Sequence, residues 1–165
     1  MLSSDSVTQV NNRVSWRRAV LRWLPLALIF ALSAAQAVES AKLAAPELRI
    51  HVAGVQSGTG MVQYAVFDSP RHFPGREGRI AKGEVPASAG GVTIVVKGLR
   101  PGQYAVAVFH DENGNDEFDQ GVFGIPLETY GFSNDARGFF SAPKFSDARF
   151  ELRGPQTTIS ITLAR

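Results

Sequence analysis

The segment His110-Asp111-Glu112-Asn113-Gly114-Asn115-Asp116-Glu117-Phe118-Asp119 has the residue types and spacing best suited to chemistry. Asp111, Asn113, Asn115 and Asp119 fall at positions 1, 3, 5 and 9 of a calcium-loop spacing, and the carbonyl at Glu117 serves position 7. Oxygen ligands two residues apart converge on one cation when the chain curls around it, and calcium takes about six to eight hard oxygens. Two positions depart from that pattern. Asp116 stands where a glycine makes the sharp turn, and Val122 stands where a glutamate closes the ring. The competing reading is an Asx-rich turn, in which Asn and Asp cap backbone amides and tolerate left-handed backbone.

Charge bears on that choice. Between Arg100 and Arg137 there is no Lys or Arg, but there are seven acids: Asp111, Glu112, Asp116, Glu117, Asp119, Glu128 and Asp135. Uncompensated carboxylates repel, and a cation relieves the repulsion. The loop 71–82 is the opposite, with Arg71, His72, Arg76, Arg79 and Lys82 against Glu77 alone. It offers a dock for the acidic loop or a contact for an anionic ligand.

A second candidate follows in Gly121-Val122-Phe123-Gly124-Ile125-Pro126-Leu127-Glu128-Thr129-Tyr130-Gly131-Phe132-Ser133-Asn134. Glycines beside aromatics form shallow platforms for a sugar or peptide. His110, Phe123, Glu128, Tyr130, Phe132 and Asn134 are the expected ligand face, for a sugar, peptide or protein of the cell envelope. The alternative is a satellite core that closes one end of the domain. Enzyme signatures are missing: there is no G-x-S-x-G, no H-E-x-x-H, no phosphate loop and no dinucleotide fingerprint. No catalytic residue is assigned. The favoured class is a non-catalytic binding module with a structural calcium loop. Its rival is a metal-dependent hydrolase acting on an envelope polymer, with His110 and the acids at the metal. With only His51, His72 and His110 available, a zinc site is thinly supplied.

These residues need elements to position them. Period-2 alternation predicts strands at 48–53, 61–67, 92–97, 103–110, 148–152 and 158–163, with a seventh around 79–85. Strands 61–67 and 103–110 are apolar on both faces and should be central; the others are half polar, as antiparallel strands with one wet face should be. Arg100-Pro101-Gly102-Gln103 reads as a type II turn with Gly102 at positive φ. No segment after residue 37 has a helical period. About seven strands in little more than 100 residues predict an all-β antiparallel sandwich, immunoglobulin-like or transthyretin-like, with a closed barrel as the alternative. The stretch 111–146 is far longer than a typical connection, and its aromatic and Gly/Asn content predicts an ordered loop at one end.

Residues 1–37 read as a cleaved signal peptide. Arg13, Arg17, Arg18 and Arg22 form the positive region, 24–32 the apolar run and Ala35-Gln36-Ala37 the cleavage pattern. Residues 38–46 read as a linker and 47–165 as the sandwich domain. The expected location is periplasmic or secreted, with membrane contact only during export. From Val38 onward there are 13 Lys and Arg against 14 Asp and Glu, a near-balance that removes the electrostatic support for nucleic-acid binding. Cysteine is absent, so packing rather than disulfides must hold the fold.

Four motifs occur in order: Leu99-Arg100-Pro101-Gly102-Gln103-Tyr104-Ala105-Val106, His110-Asp111-Glu112-Asn113-Gly114-Asn115, Gly124 to Asn134, and Pro143-Lys144-Phe145-Ser146-Asp147-Ala148. Together they resemble the bacterial exported family called domain of unknown function 2141 over about 48–163. The resemblance implies an exported sandwich and no particular reaction. That family often reads N-G-N-G where this chain has Asn113-Gly114-Asn115-Asp116. The Pro-Gly-x-Tyr start of the strand is also similar to carboxypeptidase-regulatory-like and transthyretin-like sandwiches.

Overall fold

The computed structural model describes residues 46–139 and 141–165. The leader 1–37 and all of the linker except Pro46 lie outside the described residues. Among the described residues eight strands follow one another: β1 (Glu47–Ala53), β2 (Met61–Phe67), β3 (Arg79–Pro86), β4 (Gly91–Val96), β5 (Gly102–Asp111), β6 (Tyr130–Phe132), β7 (Phe150–Leu152) and β8 (Gln156–Thr162). They form two sheets. One has the order β4-β1-β8; the other has the order β3-β2-β5-β6, with β7 also paired to β5. The fold is an all-β sandwich.

The alternation of side chains explains the core. Leu48, Ile50 and Val52 of β1, Ile94 and Val96 of β4 and Ile161 of β8 meet Val62 and Val66 of β2, Tyr104, Val106 and Val108 of β5 and Leu152 of β7. Each such aliphatic side chain contributes about 1.5–3 kcal/mol when fully buried. β2 and β5 are central, as their two apolar faces require. Their second face carries a smaller cluster, in which Ala105, Phe132, Ala136 and Ala148 pack with Phe73, Ala107, Tyr130 and Phe145. Edge-to-face rings run through this layer, from Phe67 to Phe73 to Phe132 to Tyr130 to Phe118 to Phe109.

Four local features differ from the sequence reading. β1 pairs with β4 antiparallel but with β8 parallel, setting Ile50 beside Ile159 and Val52 beside Ile161. Period-2 patterning cannot tell strand direction, because it fixes faces and not partners. Gly102 is not at positive φ and starts β5 opposite Leu152; Gly98, at φ +82°, makes the sharp turn instead. Tyr104 then secures the crossing between sheets by donating its hydroxyl to the Arg100 carbonyl at 2.9 Å, the device called a tyrosine corner in Greek-key sandwiches. The long stretch 111–146 contains the short strand β6, and Phe145–Ala148 forms one helical turn, so the predicted strand at 148–152 begins only at Phe150.

Candidate functional site

The loop after β5 is organised by one side chain. Asp111 is fully buried, and its carboxylate accepts four N–H groups. The Gly114 and Asn115 amides bind Oδ1 at 2.7 and 3.2 Å. The Asp116 amide and the Gln63 side chain bind Oδ2, both at 2.9 Å. Gln63 comes from β2 and also reaches Asp116 Oδ1, so it ties the loop to the sheet. Asp116 sits at φ +62°, the left-handed conformation that a glycine would adopt more cheaply at this position.

The amides of the two asparagines point at Asp119. Asn113 Nδ2 donates to it at 2.7 Å and Asn115 Nδ2 at 3.1 Å. Their oxygens turn inward along the loop, where Asn113 Oδ1 accepts the Asn115 amide and Asn115 Oδ1 accepts the Glu117 amide. The predicted Asx turns are therefore present. Among the described residues, no three His, Cys, Asp or Glu side chains are grouped to hold a metal ion. Arg76 reaches Glu117 at 3.3 Å, so the basic loop touches the acidic one through an exposed pair of small energetic weight.

Glu128 is buried beside this loop. One of its oxygens accepts the Asp119 amide at 3.1 Å; the other, Oε1, is buried and makes no hydrogen bond of normal geometry. Burial pushes the Glu128 carboxyl above its usual range; the backbone amides of Asp119 and, more weakly, Glu112 oppose the shift, while the charges of Asp111 and Asp119 add to it.

The six residues expected to form a ligand face do not share one. His110, Glu128 and Phe132 are buried, and Tyr130 is half-buried. His110 continues the series Tyr104, Val106, Val108 that faces the other sheet, whereas Asp111 follows Ala105 and Ala107 on the opposite face. His110 and Asp111 therefore leave β5 on opposite faces, and the acid that does approach the His110 ring is Glu112, whose Oε1 lies 3.8 Å from Nδ1. The His110 ring also meets the Thr59 carbonyl through Nε2 at 2.8 Å.

The Gly131-Phe132-Ser133-Asn134 motif is a staple. A Cβ on Gly131 would lie 2.7 Å from Ile161 Cγ2. Ser133 Oγ accepts the Val106 amide at 2.9 Å and donates to the Ala148 carbonyl at 2.5 Å. Asn134 donates to the carbonyls of Asp147 and Arg149. These residues bind the chain's own backbone.

Phe123 is different, and the sequence reading missed its neighbours. Residues 119–127 fold back on themselves: Gln120 bridges Pro126, the Leu127 amide donates to the Asp119 carbonyl at 3.0 Å, and the Gly121 amide donates to the Ile125 carbonyl at 2.8 Å. Val122, Phe123, Ile125 and Leu127 are 74%, 97%, 62% and 54% exposed on this hairpin. Phe123 holds φ +63°, a conformation that costs a non-glycine residue about 1–2 kcal/mol. The signal was available: an apolar run without alternation, set between an acidic loop and the staple. The described residues also outline an open groove between Phe73, Gln103, Lys144, Phe145 and Arg149, but the Arg149 guanidinium there is held by Gln103.

Residues 50–160 match the family described as an uncharacterized protein conserved in bacteria, DUF2141. No curated protein and no solved structure matches the chain.

Proposed function

The chain belongs to the DUF2141 family, and we propose that it is an exported, non-catalytic interaction module that docks on an envelope protein through the hairpin 119–127. The observation that supports this reading most is the exposure of Val122, Phe123, Ile125 and Leu127 at one tip. Apolar side chains of this size each gain about 1.5–3 kcal/mol on full burial, so a tip that displays four of them suits a partner's apolar pocket. The four exposed side chains carry no hydrogen-bonding groups, which disfavours a sugar. The acids at 111–119 stand just before the tip and would be repelled by an anionic bilayer. In this reading the loop holds a structural calcium ion, with Asn113, Asn115, Glu117 and Asp119 around it and Asp111, whose carboxylate already accepts four N–H groups, ordering the turn rather than binding the ion, and so steadies the base of the hairpin.

One experiment addresses both export and docking. The full chain and its Phe123→Ser variant are tagged at the C-terminus, produced in a native host and recovered from the envelope fraction. Mass spectrometry is expected to find both beginning at Val38. The wild type is expected to migrate in an assembly larger than the chain itself. Losing a central aromatic anchor weakens a protein interface by roughly 30-fold or more, so the variant should migrate alone. A chain beginning at Met1 in the cytoplasm contradicts the export reading. Equal migration of the two chains contradicts the docking reading.

A further inference from the structure

The calcium-loop spacing lacks its closing glutamate, because position 12 is Val122. In space, an acid from outside that spacing comes to the loop. Glu128 is a buried residue, 7% exposed; it is fixed on the Asp119 amide through Oε2, and Oε1 makes no hydrogen bond of normal geometry, although the Glu112 amide also favours the charged carboxylate. A buried carboxylate oxygen with an unfilled hydrogen-bonding position, in the field of the Asp111 and Asp119 charges, is costly in a metal-free protein and is what a hard cation would satisfy.

Resting on the calcium reading above, we infer that Glu128 is the missing acidic ligand, and that the cation sits between Asp119 and Glu128 with the Asn113 and Asn115 side-chain oxygens. Each of those two amide oxygens accepts one backbone N–H and keeps a second lone pair. Asp119 turns from the asparagine amides to the ion. Asp111 is then a positioning residue, since its carboxylate already accepts four N–H groups. Two carboxylates with neutral amide and carbonyl oxygens make a set for calcium rather than zinc, which favours nitrogen and sulfur. Magnesium demands a tighter octahedron, which this irregular loop does not offer. The carbonyl of Asp119 and the residue Glu128 flank the base of the hairpin, so the ion would clamp the support of the apolar tip.

The test is calorimetric titration of the purified chain with calcium chloride, against magnesium chloride at equal ionic strength. The wild type should bind calcium with Kd on the order of 10⁻⁴ M, and magnesium at least tenfold more weakly. Glu128→Gln keeps the shape and removes the charge; it should weaken calcium binding about tenfold or more while leaving the melting temperature in chelator no lower than wild type. Asn113→Ala, at an exposed position away from the core, provides a second variant whose fold is checked by its melting temperature in chelator and which should also weaken binding. If the wild type binds calcium and Glu128→Gln binds it equally well, the ligand assignment is overturned and the calcium loop stands. If the wild type shows no heat of binding up to about 10 mM calcium, both fall.

Discussion

Gly60→Ala is expected to cost about 4 kcal/mol of folding stability. Gly60 precedes β2 at φ +76°, and a Cβ there would lie 1.9 Å from the Asp111 carbonyl oxygen and 2.8 Å from Glu112 Cα. Both neighbours are backbone, so neither can rotate aside. The left-handed conformation adds roughly 1–2 kcal/mol, and forcing backbone apart in a packed region adds about 1–3 more. The contact lies where Met61 pairs with Asp111, at the end of the β2–β5 ladder, so the strain falls on the strand that delivers the acidic loop. Gly90→Ala is the control, because Gly90 has φ +92° with nothing within 4 Å of an added Cβ. Urea unfolding should show a much lower midpoint for Gly60→Ala than for Gly90→Ala, at similar m. Equal midpoints would mean that the two chain segments are not in contact.

Asp111→Ala is expected to cost about 3 kcal/mol. A hydrogen bond to a charged group contributes about 1.5–3 kcal/mol, and four meet at this carboxylate. The sum is not additive, since Gly114, Asn115 and Asp116 are exposed and their amides regain water once released. Asp111→Asn should lose nearly as much, because its amide nitrogen would face N–H donors. The damage should be local. Hydrogen exchange at the amides of Gly114, Asn115 and Asp116 should accelerate strongly, while Val106 and Val108 in the same strand stay protected. Unchanged exchange at the loop amides would refute the hub role of Asp111.

Much of the fold could be read from the chain because one face of nearly every strand is buried. Leu48, Ile50 and Val52, or Tyr104, Val106 and Val108, alternate strictly, and the core they predict is the core observed. Partner identity was not legible in the same way. Nothing in Thr157 to Ile161 says that β8 runs parallel to β1, because that choice depends on how the whole chain closes. The short β6 was hidden by Gly131, whose missing side chain spoils the alternation but is needed where Ile161 crowds the backbone.

The candidate site was legible in part. The turn-forming role of Asn113, Asn115 and Asp119 followed from residue type and spacing. His110 was grouped with exposed aromatics although its parity with Val106 and Val108 already placed it inside. Glu128 was named, but its position against Asp119 is a tertiary contact across nine residues that no local pattern encodes. Phe123 stood out as aromatic, while Val122, Ile125 and Leu127 passed as ordinary apolar residues because sequence does not distinguish a buried run from a displayed one.

The most direct measurement of the docking claim is site-specific photo-crosslinking in the native host. A photoreactive amino acid replaces Phe123 in one strain and Arg100, an exposed residue just before the opposite end of β5, in another. The account predicts a discrete protein adduct from position 123 and none from position 100. Adducts to lipid alone, the same adducts from both positions, or no adduct at position 123 would contradict it.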